Sequence, residues 1–530
     1  MRPSLSIITA VFDPPVGILR ATIASVVAQT CEDWEWCVVD DGSSDERVIE
    51  LLEGAAARDP RIRFARRASN GGIVAASNDA LAMAHGEWVA FLDHDDRLAP
   101  QAAAVLLDVA ADSGADVIYS DEEIVSAAGH LRVRHLKPAW SPSRMRTQMY
   151  SGHLCAMRAE LVRAIGGFRA GTDGSQDYDL MLRAAEQATL VAHVPKGLYR
   201  WVEAEASTAN DPGAKPWAFE AGIRVVQEHC DRVGLAVEVE ATDLPGVHRL
   251  RRRFAETPLV SVVIPTRGSR GRAWGEERCF AVEAVRSIVR QTTYPAYEIV
   301  IVADADAPRD VLDELEAVAG GRLRIVPFAE DFNFSRKCNL GAAQAAGDLL
   351  LFLNDDVEVV SPDWIEALLG PLQEDAVGMT GALLLFEGNL VQHAGQSVQG
   401  EAHHVLHRMS ARLDGPMAAL RVERECAGVT AACALLRRSD FDAVGGFSED
   451  FAANYNDVDL SLKVRHDLGK RIVWTPYARL WHFESSTRDP TVTPDELRLI
   501  HDRWPHAFAD DPYFTPAMGD FLVADPPLWR

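Results

Sequence analysis

The sequence predicts an α/β chain made of two tandem copies of one domain, each a mostly parallel sheet covered by helices. Three observations carry that expectation. The chain has 530 residues, more than a single hydrophobic core organises. Short motifs return once, in the same order. Buried-type strands alternate with helical stretches throughout.

The repetition is read directly. Leu5-Ser6-Ile7-Ile8 returns as Val260-Ser261-Val262-Val263, and Val26-Val27-Ala28-Gln29-Thr30 as Ile288-Val289-Arg290-Gln291-Thr292. Phe91-Leu92-Asp93-His94-Asp95 returns as Phe352-Leu353-Asn354-Asp355-Asp356. Gly166-Gly167-Phe168 returns as Gly445-Gly446-Phe447, and Gln176-Asp177-Tyr178-Asp179-Leu180 as Asn456-Asp457-Val458-Asp459-Leu460. The spacing drifts only from 255 to 280 residues, as loop insertions would make it. Domains of residues 1–250 and 257–530 follow, joined through the polar, basic Leu250–Thr257 segment.

Within a copy, the runs at 6–10, 36–40 and 88–92, then 260–264, 298–302 and 349–353, read as strands. They are nearly continuous in apolar residues, as strands buried on both faces are. The stretches at 18–28, 47–57 and 73–84 read as helices between them. In such sheets ligands bind beyond the carboxyl ends of the strands.

Composition narrows the function. Asp plus Glu number 78 and Lys plus Arg 53, so the net charge is 53 − 78 = −25. A nucleic-acid-coating protein needs a basic stripe, and the densest basic run is Arg251-Arg252-Arg253. The eight cysteines lack CxxC spacing and read as reduced thiols of a cytoplasmic protein. No apolar run approaches the roughly 20 residues of a membrane helix, and the apolar start before Pro14-Pro15 reads as a first strand. GxxxxGK[ST] and GxSxG are both missing, which disfavours P-loop phosphotransfer and a serine nucleophile elbow.

The acidic clusters fall at strand ends. Asp93-x-Asp95 and Asn354-x-Asp356 place hard oxygen donors one residue apart, which suits Mg²⁺ or Mn²⁺ bridged to phosphates. A solvated turn would use the same residues, but the recurrence after the same strand favours a site. Asp41 and Asp304 align after the second strand of each copy; a turn or cap competes there with a nucleotide contact. Asp177 and Asp457 open helices after Gly-Gly-Phe and a short loop, where an ionised Asp caps a helix or acts as general base on an alcohol. His403, His404 and His407 have metal-like spacing without HExxH and read as a groove lining.

Taken together, Ser6-Ile7-Ile8, Val39-Asp40-Asp41-Gly42-Ser43, Phe91-Leu92-Asp93-His94-Asp95-Asp96 and Gly174-Ser175-Gln176-Asp177-Tyr178-Asp179-Leu180 resemble the family 2 inverting glycosyltransferases of GT-A fold. Asn333-Phe334-Ser335, Leu353-Asn354-Asp355-Asp356, Val391-Gln392-His393-Ala394-Gly395, Asn456-Asp457-Val458-Asp459 and Trp481-His482-Phe483-Glu484-Ser485-Ser486 resemble the same family more closely. The whole, including Asp511-Pro512-Tyr513, is similar to tandem transferases of bacterial O-antigen and cell-surface polysaccharide assembly. The resemblance implies two Rossmann-like GT-A domains that move sugar, with inversion, from a nucleotide-diphosphate sugar to a saccharide acceptor, lipid-linked in type. It implies that Asp41 and Asp304 contact the nucleotide, and that Asp93 and Asn354 approach ribose or sugar. It implies Mn²⁺ or Mg²⁺ on Asp95 and Asp356, with His482 as a further ligand or phosphate contact, and Asp177 and Asp457 as bases. Arg200 is expected at the position of His482 in the first copy, where it would clamp a diphosphate instead of ligating a cation. The implied location is cytoplasmic, with weak peripheral attachment to the inner membrane face. Two alternatives stay open: a nucleotidyltransferase, or one catalytic copy beside a degenerate polymer- or partner-binding copy.

Overall fold

A seven-residue strand opens each half of the chain, and Leu5–Val11 and Val260–Thr266 are buried along nearly their whole lengths. A strand apolar on both faces belongs in the interior of a sheet with helices on each side. The computed structural model, which describes residues 3–203, 216–483 and 492–513, places both strands so. Contacts divide the chain into two compact units, Met1–Trp140 with Met145–Leu250, and Ser141–Arg144 with Arg251–Arg530.

The first unit's sheet runs Ile62–Arg66, Trp34–Asp40, Leu5–Val11, Trp88–Phe91, Cys155–Arg158, Val117–Ser126, Val191–Glu203 and Arg97–Leu98. The second runs Leu323–Phe328, Tyr297–Asp304, Val260–Thr266, Leu349–Leu353, Cys433–Arg437, Val377–Leu385, Arg471–His482 and Val357–Val359. The two orders correspond strand for strand. Along each path only two short strands run against the rest: Cys155–Arg158 and Arg97–Leu98, and Cys433–Arg437 and Val357–Val359. The sheets are therefore mixed but mostly parallel. The expected helices appear as Val16–Val27, Glu46–Arg58 and Ile73–Met83. None of the eight cysteines is in a disulfide.

Two polar devices recur in both units and explain the repeated motifs. In the first, the Ser6 hydroxyl donates to Glu35 at 2.7 Å and accepts the Gly86 N–H at 2.8 Å, while the His85 N–H donates to Glu35 at 2.5 Å. Ser261, Glu298, Gly347 and Ala346 repeat it at 2.6, 2.9 and 2.5 Å. Burial works to raise the Glu35 pKa, but the donors from His85 and Ser6 outweigh it and hold the carboxyl below its ordinary value. The second device is an asparagine clamp. Asn78 bonds both the N–H and the carbonyl of Phe168, at 3.0 and 2.9 Å, and Asn339 does the same for Phe447, at 2.9 Å each. Gly167 and Gly446 sit against those asparagines at φ +66° and +67°, where a Cβ would come within 2.6 and 2.8 Å of the amide oxygen. That is why Gly-Gly-Phe returns: a side chain there would displace the clamp.

Gly347 provides a test of the first device. A Cβ there would lie 2.4 Å from the Leu259 carbonyl oxygen and 2.8 Å from the Ser261 hydroxyl. Gly347→Ala should destabilise by about 1–3 kcal/mol through overpacking. Gly388→Ala, with nothing within 4 Å, should stay within about 0.5 kcal/mol of the parent. Urea unfolding of the two variants checks the difference; equal midpoints would remove the steric argument.

Candidate active site

In the second unit, the residues beyond Val260–Thr266, Tyr297–Asp304 and Leu349–Leu353 line a cavity of about 630 Å³, a volume suited to a small molecule. Asp304, Asn354, Asp356, Asp457 and His482 all line it, so the structure brings together the five second-half residues expected at nucleotide, sugar, metal and base positions. The Glu484-Ser485-Ser486 end of the Trp481 motif lies outside the described residues.

His482 ends the strand Arg471–His482 and pairs in register with Val357, which brings its ring beside the Asn354–Asp356 turn. Its Nδ1–H donates to Gln392 Oε1 at 2.6 Å. Its Nε2 lies 3.0 Å from Asp356 Oδ1 and 3.2 Å from the Asn354 amide nitrogen. With the Nδ1 proton given to Gln392, a neutral ring turns a lone pair toward a carboxylate oxygen. Two acceptors that close repel unless a proton or a cation joins them. Burial alone would raise the Asp356 pKa, but a His482 ring that carries its second proton, on Nε2, outweighs it and holds the carboxyl below its usual range, and a cation would take that proton's place beside the neutral ring. Burial and the Asp356 charge push the neighbouring Asp355, which accepts the Thr266 hydroxyl at 2.5 Å, up to about 7. An ionised oxygen and an imidazole nitrogen side by side at the cavity wall fit a divalent cation.

Asp457 stands in the first turn of the helix Asn456–His466. Its Oδ1 accepts the Val458 N–H at 2.8 Å, and its Oδ2 accepts from Gln396 Nε2 and the Ala431 N–H, each at 3.3 Å. Asp459, two residues on, is fully buried and is held by Trp504 Nε1 at 2.9 Å and by Arg503 and Lys463 at 3.3 Å. The first Asp of the pair therefore faces the cavity, while the second ties the C-terminal helix Pro494–Arg503 to the unit. Asp304 pairs with the buried Lys337, whose ammonium also donates to the Thr266 carbonyl at 3.1 Å. Lys337 was missed in the sequence, although its position four residues after the cap Asn333 puts it on the helix Phe334–Gln344 behind that motif.

The first unit has the same frame with different fittings. Asp93, Asp95 and Asp96 present oxygens within 4.8 Å of one another, the one such group among the described residues. Asp96 is buried and engaged by Tyr199 Oη at 2.7 Å and the Val202 N–H at 2.8 Å; burial and the Asp93 charge push it up to about 7. Asp177 lies in the first turn of the helix Gln176–Gln187, exposed to solvent, and its Oδ1 accepts the Tyr178 N–H at 2.8 Å. Asp179 pairs with Arg183 at 2.7 Å and with Arg169, mirroring Asp459. Asp41 is buried, accepts the Gly71 and Gly72 N–H groups at 2.9 and 2.8 Å and pairs ionically with Arg67, whose Nε lies 2.9 Å away, so its carboxylate orders the loop after Ile62–Arg66.

Arg200 is not where His482 is. Arg97 pairs with Arg200 and Glu358 with Trp481, so Trp201 occupies the His482 rung. Arg200 lies 3.5 Å from Glu123. The offset is one of strand register: Leu98 pairs with Tyr199 and Val359 with Leu480, so Tyr199 and Leu480 share a rung and the imidazole falls two residues beyond Tyr199. The imidazole of this unit comes instead from His153, which stacks on Tyr199 with centroids 4.7 Å apart and reaches Asp93 at 3.4 Å. No motif marked it. Glu122, beneath it, binds the fully buried Lys137 at 3.1 Å, on the rung where the second unit has Leu384. His403 and His404 line the second unit's cavity, as a groove lining would, and His407 turns its Nδ1 to the Gln392 carbonyl.

No helix among the described residues is long and apolar enough to cross a membrane. The chain is 36% identical, over 99% of its length, to the uncharacterised protein y4gI of Sinorhizobium fredii, and covers 59% of that protein. It is 35% identical over 97% of its length to the O-antigen biosynthesis protein RfbC of Myxococcus xanthus, covering 40% of it. It thus spans about two fifths to three fifths of these relatives. A crystal structure of S. aureus TarS with UDP aligns with 43% of this chain and 65% of that one, at 17% identity and a TM-score of 0.35. Residues 6–164 and 261–445, one stretch in each unit, match Glycosyl transferase family 2, and the chain belongs to that family.

Proposed function

We propose that the second unit is an inverting glycosyltransferase site that moves sugar from a nucleoside-diphosphate sugar to a saccharide hydroxyl. The observation that carries this reading is that Asp457 and the Asp356–His482 pair line one cavity. Asp457 takes the proton from the acceptor hydroxyl, whose oxygen forms the new bond to the anomeric carbon as the bond to the diphosphate breaks on the opposite face. Asp304 and Asn354 hold the nucleotide and sugar, with Lys337 fixing the Asp304 carboxylate. A Mn²⁺ or Mg²⁺ ion on Asp356 and His482 would supply Lewis-acid stabilisation of the leaving diphosphate. The first unit offers a parallel set: Asp177 as base, Asp95 with Asp93 toward metal and donor, and Asp41 ordering the loop that meets the nucleotide. Residues 1–250 and 257–530 would then be two transferase domains. A second reading, one catalytic unit beside a binding unit, is favoured by Trp201 on the His482 rung and by Asp93 already paired to His153. The pathway we propose is cell-surface polysaccharide assembly of O-antigen type, with a lipid-linked acceptor at the cytoplasmic membrane face.

Three measurements test these proposals. Purified protein screened against nucleotide sugars should transfer or hydrolyse at least one donor. Asp457→Asn should lower that rate by roughly 10²–10⁴-fold, because the amide cannot take the proton. If both units are catalytic, Asp177→Asn removes a second, separable transfer; if it changes nothing, the binding-unit reading stands. Turnover should vanish in EDTA and return with Mn²⁺ or Mg²⁺, and full activity in excess chelator would remove the metal from the scheme. In flotation assays the chain, at net charge −25, should ignore bare anionic vesicles and bind only those carrying lipid-linked acceptor, whatever the salt. Tight, salt-sensitive binding to bare vesicles would sink the acceptor-tethered picture.

A further inference from the structure

The segment Val391–Gln396 has no part in the chemistry above, yet two of its side chains end on the second unit's site. Val391–His393 is a short strand paired with Val377–Leu385, and Gln396 and Ser397 pair with His404 and His403. Gln392 and Gln396 are 2% and 3% exposed, and both line the cavity. A primary amide taken out of water needs hydrogen-bond partners. Gln392 Oε1 accepts the His482 Nδ1–H at 2.6 Å, and Gln396 Nε2 donates to Asp457 Oδ2 at 3.3 Å. Between the two glutamines, His393 Nε2 accepts the N–H groups of Gly395 at 3.2 Å and Thr430 at 3.4 Å. It thereby holds the loop whose next residue, Ala431, gives Asp457 its other donor.

The first unit supplies an internal comparison. Its rung Glu122–His135 corresponds to Leu384–His393, and its next rung, Glu123–Arg134, to Leu385–Val391, so Gln392 is the extra residue of a bulge that the first unit lacks at that point. Arg134 is mostly exposed and pairs with Glu123 at 3.3 Å. The unit with Trp201 on the imidazole rung thus also lacks the glutamine that would hold an imidazole there.

We propose that Gln392 and Gln396 are positioning residues on one element. Gln392 fixes the His482 ring with its Nε2 lone pair toward Asp356, and Gln396 fixes the Asp457 carboxylate in the orientation of a base. The proposal rests on the roles proposed above for His482 and Asp457. A ligating histidine held through its other nitrogen is oriented and made a better donor, and loss of such a partner typically weakens metal binding 10–100-fold.

The experiment uses the full chain carrying Asp95→Asn, so that the first unit's acidic cluster is weakened, with Mn²⁺ binding followed by electron paramagnetic resonance. Gln392→Leu should weaken Mn²⁺ binding by about 10–100-fold. Gln392→Glu, which keeps an accepting oxygen for the Nδ1–H, should restore it, and Gln396→Leu should leave it unchanged. With the donor found in the nucleotide-sugar screen, Gln396→Leu should lower kcat by about 10-fold with KM for the donor unchanged, and saturating Mn²⁺ should not restore it. Gln392→Leu should recover its turnover at saturating Mn²⁺. Circular dichroism on every variant separates these effects from misfolding. Unchanged Mn²⁺ affinity in Gln392→Leu, an equal loss in all three variants, or an unchanged kcat in Gln396→Leu overturns the assignment. A parent that binds no Mn²⁺ overturns instead the metal reading of His482, a failure visible before any glutamine variant is made.

Discussion

A sheet covered by helices on both faces has nowhere to keep an unpaired charge, because desolvating a carboxylate is expensive unless it is bonded. Acidic residues are therefore confined to places where strands stop or where a dedicated partner waits. In each unit the parallel strands all stop on one side, and Asp41, Asp93, Asp304 and Asp356 lie just past those ends. The exceptions inside the frame are partnered: Glu35 by Ser6 and His85, Asp179 by Arg183, and Asp459 by Trp504 and Arg503. The site exists because one rule about burial acts on several strands at once.

The duplication makes that rule visible, since one frame carries two sets of groups. The Ser–Glu–Gly link and the asparagine clamp are the same in both units to within about 0.2 Å, which marks them as part of how this sheet is built. The groups at the strand ends are free to differ, and they do. The second unit sets an aspartate–imidazole pair in a cavity with Asp457. The first sets three aspartates beside His153, over a buried Glu122–Lys137 pair, where the second unit has Leu384 on the Glu122 rung. Buried ion pairs are costly to break and seldom add net stability.

Much of this was legible in the sequence. The repeat, the alternation of strand and helix, and the family itself follow from motifs a few residues long, because buried strands and tight turns tolerate few residue types. The positions of Asp177 and Asp457 stand out for the same reason, each following a repeated Gly-Gly-Phe turn by a short loop, 9 residues after Phe168 and 10 after Phe447. The sequence could not separate Asp177 from Asp179, or Asp457 from Asp459. Both members of each pair lie in the first turn of a helix, and only packing turns Asp457 to the cavity, leaves Asp177 exposed and takes Asp179 and Asp459 into the core.

The sequence by itself determined the architecture, the family, and the strand ends at which the chemistry must lie. Tertiary structure alone decided the partners. Gln392 meets His482 across 90 residues, His153 meets Asp93 across 60, and Trp201 takes a rung that counting along the chain assigns to Arg200. Strand period and helix spacing are local and can be counted, but register between distant strands is set by how loops of unequal length close. A one-residue difference there exchanges an imidazole for an indole, and nothing local records it.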